Sequence, residues 1–375
     1  MKTYHLLIAI LFFASCNRIL QQSESLPNNI QVIDVNESDI IRNGKLSDLI
    51  SIDSLVFLEY TDESLIGTID KVIVSDKYIY IVDKETTNAI YRFDRRGNFF
   101  NSYKKSGRGP QEYLKLNDVS IFQDNIYVSA EPNQFFVLDK NLTFVKSVDI
   151  KWTDDIPLPQ FGHYFSIINS DTVLFYHPSA SYHYHLYDLN KEAFVSSQIK
   201  RRGTFDISDH RSLTRNASGK IYLSRNYNDT IYTLRDNRFT PEYIVNFEQP
   251  MTDEEIKERL RLTVYNAFKF PPVQKMHHVN EFINSEDYIS FEFVFKRQGY
   301  FYFYHKEKNS VKIFNNSLEN DFFLNPTIGH YQNSNITYMD VADLLENREL
   351  LSFSIPDNLT YDSNPPLVFY KPKFE

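Results

Sequence analysis

Short apolar runs alternate with polar turns along most of the chain, and this alternation repeats at a constant interval. Four segments share one order: an apolar strand, a polar turn, a second strand that ends near an aspartate, a tight turn and a third strand. They begin at Ile79, Ile126, Val173 and Ile221, with spacings of 47, 47 and 48 residues. A further strand precedes each segment, so each unit contains four strands.

Four antiparallel strands per repeat of about 40–50 residues are typical of a β-propeller blade. Two less regular units follow, one from Tyr288 and one from about Ile328 to Tyr370. The sequence therefore predicts an all-β, six-bladed propeller. Aspartates that recur with the repeat are expected to serve its turns, namely Asp83, Asp94, Asp118, Asp139, Asp188 and Asp236.

The interval between the fourth and fifth units exceeds the period by about twenty residues. Residues 251–268 account for the excess and predict a short helix, because Thr252 and Glu255 form a capping-box pattern. Three apolar residues fall four apart along it: Ile256, Leu260 and Val264. We expect this helix to pack its apolar stripe on the outside or on one face of the ring.

A closed ring needs a partner for its last strand, since open sheet edges promote aggregation. The C-terminal strand from Leu367 to Tyr370 and the N-terminal run 54–60 each lack a blade of their own. We predict that these two strands meet in blade six, and that the N-terminal tether leaves the ring near this closure.

The N-terminus has the pattern of a secretory signal, with an apolar core from Leu6 to Phe13 that is too short to span a bilayer. Small residues then precede Cys16, the only cysteine, and this ending resembles the lipobox of bacterial lipoproteins. The resemblance implies cleavage before Cys16, lipidation of its thiol and, because Asn17 is not aspartate, an outer-membrane anchor facing the periplasm or the cell surface. The alternative is an ordinary signal peptide with an incidental cysteine.

The predicted organisation is thus a signal peptide (1–16), a polar tether (17–32) and one propeller domain (33–375) with a helical insertion at about 251–268. A formal net charge of −9 argues against a nucleic-acid partner, because phosphate binding needs clustered basic residues. The expected partner is instead the membrane, reached through the lipid, and no cofactor is predicted.

Residues 66–122 and the terminal "NPPLVFYK" resemble the six-bladed β-propeller lipoproteins abundant in Bacteroidetes, which are similar to NHL-type propellers. That family has a glycine-rich motif ahead of the inner strand of a blade. Here Gln111 replaces one glycine of the motif, and the other places match: Gly107, Gly109, Pro110, Glu112 and Tyr113. The resemblance implies the fold but little about activity.

The motif forms a loop between blades one and two. Its glycines and proline predict a sharp bend, with Tyr113 packed between blades and Glu112 capping exposed amides. A functional alternative stays open, because connections of this kind emerge on the propeller face where ligands usually bind. Arg108, Glu112 and Tyr113 are therefore candidate ligand-binding residues.

Three histidines lie within nine residues: His177, His183 and His185. Two histidines two apart on a strand share a face, so a metal site is conceivable. Stacked aromatic and imidazole side chains explain the same pattern without a metal, and no metal site is favoured. A Gly-x-Ser-x-Gly nucleophile motif is absent from the sequence.

These observations leave two main classes of function, beside an interaction module that makes its contact through the inserted helix. The first is a non-catalytic binding or scaffold module, displayed on a lipid anchor, that binds a glycan, a peptide or an envelope protein. The second is an envelope hydrolase or lyase whose active site lies in the central channel. The second class requires carboxylates or histidines from different inner strands to converge, with shifted pKa values.

Overall fold

The computed structural model describes residues 30–374, except for 110, 160–163, 268, 316–317, 319–324 and 352. Six sheets follow one another around a ring, which confirms the predicted six-bladed propeller of four-stranded blades. Cys16, the signal peptide and most of the predicted tether lie outside the described residues. In the part of the chain that the structure describes, no helix is long and apolar enough to span a bilayer.

The first two strands belong to blades that are completed much later in the chain. They are β1 (Gln31–Val35) and β2 (Ile50–Val56), separated by a 3-10 turn (Glu37–Asp39) and the short helix α1 (Leu46–Leu49). Blade one then contains β3 (Lys71–Val74), β4 (Tyr78–Asp83), β5 (Ala89–Asp94) and β6 (Phe99–Tyr103). Blade two contains β7 (Lys115–Phe122), β8 (Asn125–Glu131), β9 (Gln134–Asp139) and β10 (Phe144–Val148).

The remaining blades follow the same order from the inner to the outer strand. Blade three contains β11 (Phe165–Asn169), β12 (Thr172–Tyr176), β13 (Tyr182–Asp188) and β14 (Ala193–Lys200). Blade four contains β15 (Leu213–Arg215), β16 (Ile221–Arg225), β17 (Asn228–Arg235) and β18 (Arg238–Phe247). Blade five contains β19 (His277–Asn284), β20 (Tyr288–Phe295), β21 (Gln298–His305) and β22 (Ser310–Phe314), and blade six contains β23 (Gly329–Tyr331), β24 (Ser334–Tyr338), β25 (Leu367–Pro372) and β2.

The helices lie between strands. A 3-10 turn (His210–Ser212) precedes β15, and helices α2 (Asp253–Arg261) and α3 (Val264–Ala267) join blade four to blade five. Helix α4 (Val341–Glu346) and a 3-10 turn (Arg348–Leu350) lie between β24 and β25.

The second strand of a blade is apolar at nearly every position because both of its faces are covered. In β4, Ile79 packs in a cluster with Ile336 of blade six, whereas Tyr80 packs with Val128 of blade two. Successive side chains point to opposite faces of a sheet, so this one strand joins blade one to both of its neighbours. The core is therefore a ring of inter-blade layers.

Closure occurs in blade six, as predicted, since β2 pairs with β25 in antiparallel register. The start of the chain departs from the prediction. Strand β1 pairs in parallel with β18 and forms a fifth, outermost strand of blade four, so the N-terminal segment leaves the ring at blade four and not at the closure. From there it bridges blade five through Ile40 and Ile313 before it reaches blade six.

Turns within the hairpins carry the repeated aspartates. The carboxylates of Asp94, Asp139 and Asp188 each accept backbone N–H groups from the turn that follows. Backbone N–H groups in a turn have no partner in the β-sheet, and the aspartate side chain supplies one. This explains why aspartate recurs at these turns. Asp118 is different: its side chain is buried in the channel wall, so its expected role in a turn is wrong.

The two faces of the ring differ in the length of their loops. On one side of the ring, the outer strand of each blade leads to the inner strand of the next blade, and the second strand leads to the third. We call this side the connection face. The opposite side is the turn face. Turns on the turn face have two to five residues. The longest segments, 248–276 and 339–366, both lie on the connection face.

Helix α2 confirms the predicted insertion between blades four and five and its capping box, in which Thr252 and Glu255 bond reciprocally. It ends at Arg261, so Val264 belongs to α3. The helix lies on the connection face, where the Leu260 carbonyl oxygen accepts the backbone N–H of Phe205.

Candidate functional site

Charged side chains from neighbouring blades meet along the wall of the central channel. Lys71 on the inner strand of blade one lies 2.9 Å from Asp118 on the inner strand of blade two. The second oxygen of Asp118 accepts the backbone N–H of Phe165 in blade three, at 3.0 Å. Burial alone would raise the pKa of Asp118, but the charge and hydrogen bond of Lys71 hold that pKa below its usual value.

A second pair ties together the other half of the ring. Arg211, in the turn that leads into blade four, lies 3.1 Å from Glu292 of blade five. Glu292 also accepts the backbone N–H of Thr327, which precedes the inner strand of blade six, at 2.8 Å. Burial raises the pKa of Glu292 above its ordinary value, although Arg211 opposes the change.

A third pair joins the inner strands of blades five and six. The Nε2 atom of His330 lies 3.0 Å from a carboxylate oxygen of Glu281. The Nδ1 atom of the same ring lies 3.0 Å from the Asn335 side-chain oxygen, which fixes the orientation of the ring.

Strand β19 is irregular where it supplies these groups. Its register shifts twice, between His277 and Asn280 and between Asn280 and Ile283. Within the two bulges, His278 and Glu281 have φ values of 66° and 51°. Positive φ is uncommon for such residues, and bulges change the direction in which a side chain points. The bulges thus let one inner strand place side chains toward both neighbouring blades.

His210 belongs to the turn that precedes blade four, and Asp209 caps this turn by accepting the Arg211 N–H. The pKa of His210 is lowered, chiefly by burial and then by the charge of Lys71, while Asp118 opposes the change. The imidazole therefore lies close to a pair that belongs to blades one and two. We call the following side chains, which belong to the inner strands, to the second strand of blade five and to the turn before blade four, the channel cluster: Lys71, Asp118, His210, Arg211, Glu281, Glu292 and His330.

Each carboxylate of the channel cluster has a partner: two of them face a lysine or arginine, and Glu281 contacts an imidazole. Lys71 pairs with Asp118, Arg211 with Glu292 and His330 with Glu281. Removing either member of a buried pair would leave an uncompensated charge, so the pairs hold adjacent blades together.

The predicted loop between blades one and two is organised by Glu112. Its carboxylate accepts the Gly109 N–H at 2.9 Å, as its expected capping role requires. A Cβ at Gly107 would lie 1.9 Å from the same carboxylate, so glycine is needed there chiefly for this close approach. Tyr113 is fully buried between blades, and its hydroxyl donates to the carbonyl oxygens of Asn88 and Tyr103. Arg108 is exposed on the connection face.

The three histidines of blade three have different surroundings, and two of them form hydrogen bonds through their rings. His177 accepts backbone N–H groups from Ser179 and Ala180 at Nδ1, while its Nε2 lies 2.8 Å from the Pro157 carbonyl oxygen. The ring nitrogens of His185 bond to the Ser197 hydroxyl and the Tyr182 carbonyl.

His183 is fully buried, with its ring edge-on to Tyr176. Burial lowers the pKa of His183, and that of His185, to about 4. Among the residues that the structure describes, no group of three or more His, Cys, Asp or Glu side chains is arranged to hold a metal ion.

Residues 30–371 match the model of a family described as a domain of unknown function, DUF4934. The chain belongs to this family. A comparison with curated protein sequences gives no match.

Among solved structures, the chain is similar to a protein of Bacteroides fragilis that is described as exported, with a TM-score of 0.69 and 14% identity over 92% of this chain and 100% of the other. It is also similar to the extracellular domain of a hybrid two-component system protein from B. thetaiotaomicron, with a TM-score of 0.39 and 13% identity over 69% of this chain and 28% of that chain.

Sequence reasoning did not find the channel cluster of this DUF4934 member. Each pair joins residues about 47 to 81 positions apart, and none lies in a motif. A partial signal exists at Asp118, since it occupies the inner strand and not the hairpin turn that holds the other repeated aspartates.

Proposed function

We propose that the protein is an envelope lipoprotein whose connection face binds a glycan, a peptide or another envelope protein without chemical turnover. The observation that carries this proposal is the concentration of long segments on one face of a rigid ring. Binding residues are commonly displayed on loops that a rigid scaffold positions, whereas short turns offer little surface. The exported relative in Bacteroides fragilis supports an envelope location.

The channel cluster supports a ligand that is recognised mainly by hydrogen bonds and shape. A charged ligand that bound at one of these three pairs would have to displace a member of that pair, which is costly when the remaining charge is buried. A neutral polar ligand makes no such demand.

Strand polarity gives the orientation of the ring on its proposed anchor. Strand β18 runs toward the connection face, and β1 is parallel to it, so Gln31 starts at the turn face. A lipid at Cys16 would hold the turn face toward the membrane. The distance would be at most about 50 Å, because the segment between Cys16 and Gln31 spans no more than about 3.6 Å per residue. The connection face would then point away from the bilayer.

The binding proposal is tested with the soluble chain from Glu24, which contains all the strands. We expect neutral glycans, envelope peptides or an envelope extract to raise its melting temperature, since ligands that bind only the native state stabilise it. A variant altered at several places on the connection face, Arg108→Ala, Trp152→Phe, Tyr265→Ala and Leu350→Ala, should lose the shift. Phe100→Ser and Val145→Ser, on outer strands, serve as the control. Retention of the shift in the face variant would contradict the proposal.

The anchor is tested separately by replacing Cys16. Cys16→Ser should abolish incorporation of labelled fatty acid and release the protein from the membrane fraction. Membrane association that persists without label would refute the lipid anchor and leave the binding face untouched.

A channel enzyme is a second candidate because two carboxylates and an imidazole converge there. Glu292 has a raised pKa, as a general acid requires, and Glu281 contacts His330. In that case turnover of an envelope glycan should be detectable and should fall at least about 100-fold in Glu292→Gln. If the wild-type chain binds these glycans but releases no product, the channel is not an active site for them.

A further inference from the structure

A cavity of about 210 Å³ lies at the seam between blades two and three and holds the only tryptophan of the chain. Phe135 and Phe175, both buried, lie beneath Trp152, whose ring centroid is 5.5 Å from that of Phe175. The cavity opens to the surface, because Asn133 and Leu158 on its rim are exposed. We call it the Trp152 pocket.

Amide side chains surround this aromatic floor, and the backbone places them there. Asn133 sits in the turn between β8 and β9 at a φ of 72°, a left-handed conformation that asparagine tolerates. Its side-chain oxygen accepts the indole N–H of Trp152 at 2.8 Å, which fixes the indole plane. Asn117 lies at a bulge in β7, where the register shifts between Leu116 and Asp118. Gln134 completes the set.

We infer that the Trp152 pocket binds one neutral sugar residue of a glycan; this inference rests on the proposed binding function and names its ligand class. A pyranose ring has an apolar C–H surface that packs on an aromatic ring, and hydroxyls that both donate and accept hydrogen bonds. Amides also do both, so Asn117, Asn133 and Gln134 match hydroxyls in either direction.

Other ligand classes fit the pocket less well. An aliphatic side chain of a peptide ligand would bury the amide groups of the pocket without hydrogen-bond partners, and this lowers the affinity. An anion finds no basic group, because Glu131 is the one ionisable side chain among the described residues that line the pocket. Pockets for whole drug-sized ligands are about 300–1,000 Å³, so this smaller one suits a single residue of a longer chain.

The unique tryptophan makes the test specific, because selective excitation reports on this pocket alone. Fluorescence of the soluble chain from Glu24 is titrated with neutral disaccharides of glucose, galactose, mannose and N-acetylglucosamine, with a uronic-acid disaccharide, and with short apolar peptides. We expect saturable change only with a neutral sugar, at a dissociation constant on the order of 1 mM.

Variants then locate the site by calorimetry. Trp152→Phe keeps an aromatic ring and Asn133→Gly keeps the left-handed turn, and each should weaken binding at least tenfold. Both remove the hydrogen bond between Asn133 and Trp152, so we expect a melting temperature lowered by about a few degrees and a fully folded chain. Gln274→Ala, which removes an exposed amide elsewhere on the connection face, should leave binding unchanged.

Two results would overturn the inference. A fluorescence response to the apolar peptides or the uronic acid but not to neutral sugars would assign another ligand class. Sugar binding that is unaffected by Trp152→Phe and Asn133→Gly would refute the pocket while leaving the proposed binding function intact, whereas failure of the wider ligand screen as well would refute both.

Discussion

Lys71 and Asp118 belong to different blades, yet their side chains form an ion pair at 2.9 Å in the wall of the channel. The carboxylate also accepts a backbone N–H from Phe165, so one aspartate joins blades one, two and three. Asp118 has only 3% of its side chain exposed and Lys71 has 23%. The pair is thus a buried contact between elements that are about 47 residues apart in sequence.

We predict that Lys71→Met lowers the free energy of unfolding by about 3 kcal/mol, because it leaves a buried carboxylate without its partner. The double variant Lys71→Met/Asp118→Asn should recover much of this loss, since no charge remains. Urea denaturation of the single and double variants measures both effects.

The control for this cycle is Lys115→Met, which removes the exposed pair between Lys115 and Glu85 on the same two blades. Exposed pairs contribute about 0–1 kcal/mol, so this change should be small. Equal losses in Lys71→Met and Lys115→Met would show that burial does not govern the contribution of the channel pair.

Acid should destabilise the protein partly through His183. Its pKa lies near 4 in the folded chain and near 6.5 when unfolded, because burial disfavours the imidazolium ion. The unfolded chain therefore binds the proton more readily, and stability present above about pH 6.5 is lost as the pH falls toward 4.

His183→Phe should flatten this part of the stability curve by up to about 3 kcal/mol between pH 7 and pH 4, as a shift of this size implies. Chemical denaturation at a series of pH values gives the curve. His185 behaves similarly and remains in the variant, so flattening will be partial. Parallel curves for the wild type and the variant would mean that His183 does not titrate differently on unfolding.

Gly107 should be intolerant of alanine for a reason that involves Glu112. The added Cβ would overlap the Glu112 carboxylate, which would have to release the Gly109 N–H. We expect Gly107→Ala to cost about 2 kcal/mol in the wild type and clearly less in a Glu112→Ala background, because the obstacle is then gone. A thermal-denaturation cycle over the four proteins tests this; an equal cost in both backgrounds would instead implicate backbone strain.

Local patterns made the ring predictable, because the blades repeat the same order of strands and blades one to three also share an aspartate-bonded turn. Asp94, Asp139 and Asp188 all follow the expected role in turns. The parallel pairing of β1 with β18 could not be predicted in the same way, since a five-residue strand with only two buried positions does not specify a partner more than 200 residues away.

The candidate site was less predictable than the ring for a related reason. Its charged pairs form only when different blades are placed side by side, and the bulges that direct His278 and Glu281 leave no mark in the hydrophobic pattern. The Trp152 pocket likewise combines Asn117, Asn133 and Trp152 from separate segments. The repeated strand pattern therefore predicts the propeller, whereas the charged pairs and the Trp152 pocket depend on residues that do not follow the repeat.

Helix α2 is docked on the connection face through a contact that only glycine permits. A Cβ at Gly203 would lie 2.3 Å from the Leu260 carbonyl oxygen, a backbone atom that cannot move without the helix. We predict that Gly203→Ala displaces α2 and breaks the bond from the Phe205 N–H to Leu260. Hydrogen exchange should then show lost protection in α2 and at Phe205, while the strands of blade four stay protected. Gly299→Ala is the matched control, since a Cβ there meets nothing within 4 Å. If protection of α2 survives Gly203→Ala, the helix is held by other contacts and its position on the connection face does not depend on this glycine.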